Sequence, residues 1–308
     1  MLTSVCNKYY QFLLNQGLLG GISNGLVYTP AVAMVGQYFH TRRPLAMGIA
    51  SSGSAIGGVL LPVILNRLLN HTNLGFGWTL RVVGFLVLAL CIVACLTVVP
   101  RANVPRRKGR YLLWKAWKKQ SYVSQAAGLF LVYWGLFTLF FYLPAYGSTH
   151  GLDADMEIYT ISILNTGSFF GRLLSGYLAP MIGKFNLLAL SSLISSVLIF
   201  CWLRITSTAS IIVFAVLYGF SSGFIIALTP TTLAALAEHP NEIGSYVGMA
   251  MGVIGLAALT GAPITGAMIS RFGGYNEAMI FSGVVIFAGS ILVFGARFIF
   301  EKRRVWAA

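Results

Sequence analysis

Long apolar stretches separated by short polar turns run the length of the chain. Nine of them, at about 10–38, 44–66, 78–99, 122–146, 156–182, 186–204, 209–236, 243–270 and 277–299, are near or above the ~20 residues that carry an α-helix across a bilayer. The pattern predicts an all-α membrane protein of about nine transmembrane helices. Most of these stretches contain Gly and some contain Pro. Membrane helices tolerate both, because close neighbours satisfy the backbone groups that Pro frees. The only long polar segment runs from Pro100 to Ser121.

Composition agrees with this picture. Of the 308 residues, 57% are hydrophobic and only 9% charged. That is too few charges to cover a water-facing surface, since soluble domains carry roughly 25%. The net charge of +14 is uneven: eight of the 21 Lys and Arg fall between Arg101 and Lys119. In so apolar a chain, a basic cluster points to the cytoplasmic membrane face rather than to nucleic acid. The scattered Cys6, Cys91, Cys95 and Cys201 have neither zinc-like nor disulfide-framework spacing, and no signal peptide precedes Tyr10. His40, His71, His150 and His239 all fall in predicted loops, so no metal site or cofactor is expected.

Short-loop charges set an orientation. The linker with Arg101, Arg106, Arg107, Lys108, Arg110, Lys115, Lys118 and Lys119 is placed in the cytoplasm. Six spans later, Lys302, Arg303 and Arg304 return to the same side, and Arg42 and Arg43 lie there too. The acidic turn with Asp153, Asp155 and Glu157 falls outside, as does the N-terminus.

Two segments match at a spacing of 200 residues. Thr29-Pro30 repeats as Thr229-Pro230, Gly48 and Ala50 as Gly248 and Ala250, and Pro62 as Pro263 with one residue inserted. Parallel repeats of this kind mark transporter folds. Three spans separate the linker from the second copy, whereas only nine residues precede the first helix. Equivalent halves would therefore have twelve helices, three of them absent here. The expected division is a partial N-terminal bundle of three helices at 1–100, a basic cytoplasmic linker at 101–121 and a six-helix bundle at 122–308.

One segment carries a family resemblance. Tyr38-Phe39-His40-Thr41-Arg42-Arg43-Pro44-Leu45-Ala46-Met47-Gly48-Ile49-Ala50-Ser51-Ser52-Gly53-Ser54 resembles the loop between the fourth and fifth helices of monocarboxylate-porter-like members of the major facilitator superfamily, especially fungal ones. Phe76-Gly77-Trp78, Gly171-Arg172 and Ser175-Gly176 are similar to the same family. The resemblance implies that the chain corresponds to helices four to twelve of a twelve-helix fold. In this motif Arg42 and Arg43 anchor a short turn. Gly48, Gly53 and Gly57 suit close helix packing, and Trp78 suits an interfacial anchor.

Arg172 is the leading candidate for chemistry. A central Arg costs about 2.5–3.5 kcal/mol on insertion scales, so it is expected to face a cavity or a partner. Ser162, Asn165, Ser168, Arg172 and Ser175 recur at intervals of three and four, forming one polar stripe. Asn165 and Ser168 join Arg172 as candidate substrate contacts. Further candidates are Asn24 with Tyr28, Trp134 and Tyr142 with Thr138 between them, and Tyr218. In animal monocarboxylate porters an Asp one turn before this Arg is implicated in proton coupling, and the matching position here is Ser168. Asp153, Asp155, Glu157, Glu238, Glu242, Glu277 and Glu301 all fall at loops or span ends.

These features predict a secondary active transporter of a small organic solute, such as a monocarboxylate-like anion, working by alternating access. Its expected setting is a lipid bilayer, with the plasma membrane favoured over an organelle membrane. Proton coupling, oligomeric state and direction stay open. Two other readings stay open as well: an efflux transporter of a fungal secondary metabolite, and a truncated membrane protein that moves nothing. An enzyme is not expected, because no nucleophile has a base nearby in the pattern.

Overall fold

The computed structural model describes residues 1–39, 42–98 and 113–306. His40, Thr41 and the linker residues Arg101, Arg106, Arg107, Lys108 and Arg110 lie outside them, as do the side chains of Lys302, Arg303 and Arg304. The described residues form α1 (Tyr9–Phe12), a π-helical turn (Leu13–Leu19), α2 (Gly20–Tyr38), α3 (Arg43–Asn70), α4 (Gly75–Thr97), α5 (Trp114–Trp117), α6 (Gln120–Thr149), α7 (Ala154–Ile182), α8 (Lys184–Trp202), α9 (Thr208–Ala235), α10 (Ile243–Phe272) and α11 (Asn276–Trp306). α1, the π turn and α2 follow one another without a break, so every predicted span is a helix. Eight are long and apolar enough to cross a membrane. The other, α7, has 29 residues but carries acidic residues in its first turn and the polar stripe beyond.

Glycine sets the helix spacing. Between α7 and α9, a Cβ on Gly171 would come within 2.1 Å of the Phe220 carbonyl oxygen. One on Gly219 would meet the Leu164 oxygen at 2.0 Å, and one on Gly223 the Ser168 oxygen at 2.4 Å. Small residues on both helices thus let the backbones touch, the packing mode that replaces hydrophobic drive within lipid. α6 meets α11 in the same way. A Cβ on Gly135 would stand 2.6 Å from the Ser282 oxygen, and the Ser282 hydroxyl donates to Thr138 Oγ1 at 2.8 Å. α8 joins α9 and α11 through serines: Ser221 donates to the Ser191 carbonyl and Ser196 to the Gly283 carbonyl. Gly183 alone separates α7 from α8 and has φ of +93°, a backbone that strains any side chain.

The repeated segments form helix pairs, α2–α3 and α9–α10, with Pro30, Pro62, Pro230 and Pro263 inside them. The end of α2 rests on the start of α10, where Gly244 sits against Ala33 and Gly248 against Thr29. The packing role expected of Gly53 and Gly57 is not met by any described helix, for open space lies beyond both. They occupy a face of α3 turned away from its neighbour. Gly48 and Gly58 make the close approaches instead. Trp78 is 56% exposed with the Arg81 guanidinium over its ring, as suits an interfacial anchor.

An aromatic cluster closes the first turn of α6. Tyr122 donates to the Tyr246 carbonyl at 2.8 Å and meets the Tyr246 ring edge-on. Trp117 packs edge-on against Tyr122. Lys119 donates to Tyr246 Oη and pairs with Glu238, each at 2.7 Å. Burial opposes the Lys119 charge, yet hydrogen bonds to Glu238 and Tyr246 outweigh it and hold the ammonium above its ordinary pKa. The same hydrogen bond holds the Glu238 carboxyl below its usual range.

Two outcomes follow from this packing. Gly171→Ala will lower the thermal midpoint in detergent, by overpacking worth about 1–3 kcal/mol, whereas Gly255→Ala, which faces open space, will not. Glu238 is 67% exposed, so Glu238→Gln will cost less than about 1 kcal/mol at pH 7. Because the folded carboxyl pKa is depressed, that contribution is full above the ordinary carboxylate value and lost as pH falls through the lower folded value. The Lys119 contribution is lost only as pH rises past its raised pKa. Unfolding curves of wild type and Glu238→Gln will therefore converge in acid and differ at neutrality.

Candidate functional site

The polar stripe of α7 is a seam. Ser162, Asn165, Ser168, Arg172 and Ser175 are none of them more than 8% exposed. Ser162, Asn165 and Arg172 meet α3 at points along its length. Ser162 donates to the Val59 carbonyl at 3.1 Å, and a Cβ on Gly58 would collide with the Asn165 side chain at 2.5 Å. Beyond them, Asn66 donates to Asp155 Oδ1 at 3.1 Å. At the other end, a Cβ on Gly176 would stand 2.7 Å from the Leu45 Cα.

Arg172 is the centre of this seam. Its Nε donates to Ser168 Oγ at 3.2 Å, one turn earlier on α7. Its Nη1 donates across to α3, to the Ser51 carbonyl at 2.5 Å and to Ser54 Oγ. Gly48 makes the crossing possible, since a Cβ there would lie 2.6 Å from the Arg172 carbonyl oxygen. A guanidinium has five N–H donors. Nη2 makes no hydrogen bond among the described residues, so part of the donor set is uncommitted.

No carboxylate among the described residues pairs with Arg172. The groups within its electrostatic range are the phenols of Tyr133 on α6 and Tyr28 on α2, and no carboxylate is among them. Tyr133 is buried and donates to Thr229 Oγ1 at 3.2 Å, bringing in α9. Tyr28 is 42% exposed. Five helices thus contribute to one neighbourhood: α2 with Tyr28, α3 with Ser51 and Ser54, α6 with Tyr133, α7 with Ser168 and Arg172, and α9 with Thr229. Chemically it is a buried cation with spare N–H donors, flanked by hydroxyls, and suited to an anionic oxygen.

The remaining candidates separate from it. Asn24 is exposed one turn before Tyr28. Tyr142 donates to the Ala262 carbonyl at 2.8 Å and ties α6 to α10. Tyr218 is fully buried and donates to the Leu136 carbonyl at 2.9 Å. Trp134 packs edge-on against Phe281, with its buried indole N–H unpartnered. Asn165 bonds its own helix at the Ile161 carbonyl. Arg42 is exposed, and Arg43 Nε donates to the Phe39 carbonyl at 3.3 Å, closing the turn before α3. Among the described residues no group of His, Cys, Asp and Glu is placed to hold a metal ion.

The sequence reading missed Tyr133, Ser51, Ser54 and Thr229. Thr229 was flagged by the repeat, and both serines stand inside the quoted loop motif. Tyr133 lies one residue, about 100° of helix, from the candidate Trp134.

Comparison with known proteins places this geometry in a family. A family model described as Major Facilitator Superfamily matches residues 1–253. The chain belongs to that superfamily, whose members here are transporters rather than enzymes. It is 47% identical over 299 residues to the Aspyridones efflux protein apdF of Emericella nidulans, covering 97% of this chain and 61% of that protein. It is 37% identical to the Agnestins efflux protein AgnL12 of Paecilomyces divaricatus, covering 92% and 64%. The chain therefore spans 61% and 64% of these two curated relatives. Among solved structures, the human organic anion transporter MFSD10 superposes with a TM-score of 0.71 at 14% identity, covering 95% of this chain and 73% of that one. FucP in the outward conformation gives 0.66 at 13%, covering 87% and 72%. At such identities the structures show a shared fold.

Replacing Arg172 will separate its two duties. Arg172→Lys keeps a cation but loses the fork that holds Ser168, Ser51 and Ser54 together. We expect Arg172→Gln to lower solute flux at least tenfold with unchanged membrane delivery, and Arg172→Lys to fall between it and wild type. Flux assays paired with surface biotinylation check this, and wild-type flux in Arg172→Gln would remove Arg172 from the site.

Proposed function

We propose that this chain exports a fungal secondary metabolite bearing an acidic group, through alternating access in the plasma membrane. The observation that carries the reading is the buried Arg172 guanidinium, which among the described residues has the Tyr28 and Tyr133 phenols near it and no carboxylate paired with it. An intramembrane charge held by hydrogen bonds but without a counter-ion is rare and marks a binding or pathway residue. Efflux is favoured over uptake of a simple monocarboxylate because the relatives at 47% and 37% identity are efflux proteins. On this reading α2 to α4 and α6 to α11 correspond to helices four to twelve of a twelve-helix transporter. The basic linker then lies in the cytoplasm, and α3 and α7 meet between the two halves. Substrate entering at the seam would compete with Ser51 and Ser54 for the guanidinium, coupling occupancy to the separation of the helices.

A second reading, a membrane protein that moves no solute, is supported by the exposed surfaces of Tyr9–Gly36 and of α4, whose most apolar stretches are each only 6% buried.

Inside-out vesicles containing the chain separate the two. They would be offered metabolites with free carboxylic or enolic acids beside the methylated neutral forms. The proposal expects uptake of acids at least tenfold faster than of their neutral forms. Equal transport of both would remove the anion requirement, and no transport of any solute would favour the second reading.

A further inference from the structure

The start of α6 carries a second feature, distant in character from the Arg172 site. A crevice of about 350 Å³ opens along the side of the helix pair α6–α10. Its walls are Val123, Ala127, Phe130 and Leu131 of α6, Val253 of α10 and the indole of Trp117 at the end of α5. The lining is almost wholly carbon. Val123 is 39% exposed and Ala127 is exposed too, so the crevice opens sideways rather than into the protein. It occupies the first turns of a membrane-length helix, and so lies at the depth where a bilayer's headgroups give way to acyl chains.

The rim at that end is basic. Lys115 and Lys118 flank Trp117 in the chain, and both are exposed. Among the described residues neither side chain forms a hydrogen bond or a salt bridge, though Lys115 lies within electrostatic range of Glu238. Glu238, the acid that joins this cluster, is taken by Lys119. Trp114 stands 72% exposed beside them, as indole rings do at headgroup level. An apolar slot within the membrane, ending in two exposed ammonium groups and two indoles, is complementary to one amphipathic anion.

We propose that this crevice binds an anionic phospholipid. One acyl chain lies against Val123, Ala127 and Phe130, and the phosphate and acidic headgroup are held by Lys115 and Lys118. Basic pockets between membrane helices recognise acidic headgroups by this combination of charge and apolar depth. The bound lipid would also order α5. Trp117 is both the wall of the crevice and the edge-on partner of Tyr122, and Tyr122 in turn bonds the Tyr246 carbonyl on α10. A lipid seated there clamps α5 to α6 and α10.

Native mass spectrometry of the intact chain, exchanged with equimolar dioleoyl-phosphatidylserine and dioleoyl-phosphatidylcholine, tests this. The expected result is phosphatidylserine retained at least fivefold over phosphatidylcholine. Lys115→Gln with Lys118→Gln should bring the ratio to about one, and Ala127→Trp, which fills the crevice, should remove the retained lipid. The lysine variants change only exposed side chains, so the test survives if Ala127→Trp fails to fold. Equal retention of both lipids by wild type, or phosphatidylserine retention unchanged in the lysine variant or in a folded Ala127→Trp, overturns the proposal. So does a crevice that retains no lipid because protein covers it.

Discussion

The arrangement of the central helices depends on how Arg172 is accommodated. Placing a guanidinium at mid-membrane costs about 2.5–3.5 kcal/mol on insertion scales, so the surroundings must supply acceptors. Ser168 provides one from α7, while Ser51 and Ser54 provide two from α3, more than 110 residues away in sequence. Hydrogen bonds to a charged group are worth about 1.5–3 kcal/mol each, enough in number to offset the cost. They form only if α3 lies directly on α7. Gly48 and Gly58 are the places where that approach would fail with any side chain. The guanidinium therefore fixes the contact, and the contact needs the glycines.

The rest of the bundle follows the same logic with less charge. Lipid gives no hydrophobic drive between helices, so backbone proximity and hydroxyl bonds hold them. Gly167, Gly171, Gly219 and Gly223 do this between α7 and α9, and because Arg172 follows Gly171, one of the close contacts of that pair lies beside the site. The seam is thus rigid on one side, against α9. On the other side, α3 joins α7 through the close approaches at Gly48 and Gly176 and through polar bonds at Arg172 that, on the proposed function, a ligand's oxygens would replace. On that proposal a ligand would shift the joint only by interacting differently with its two states.

Much of this was legible in the sequence. Apolar runs near 20 residues marked every long helix, because bilayer thickness fixes their length. The spacing of Ser162, Asn165, Ser168, Arg172 and Ser175 marked one face of α7. What spacing does not contain is the identity of the facing surface. The stripe reads equally well as a cavity wall or as a seam, and only the crossing of α3 decides it. Tyr142 and Tyr218 show the same limit: each is a polar aromatic inside a span, and each spends its hydroxyl on the backbone of a neighbouring helix. Gly53 and Gly57 carry a packing spacing, but their face of α3 is turned to open space. Tyr133 was hidden for a related reason, for a one-residue step along a helix exchanges one environment for another.

On the proposed function, α3 and α7 meet through this seam and transport requires the seam to part. Cysteines placed at Val59 and Ser162, which are joined by a 3.1 Å hydrogen bond, test it in native membranes. With Cys6, Cys91, Cys95 and Cys201 replaced by serine, the account predicts that mild oxidation cross-links the pair, that solute flux stops, and that a reductant restores it. Failure of the pair to cross-link, or full flux through the cross-linked protein, would contradict the account.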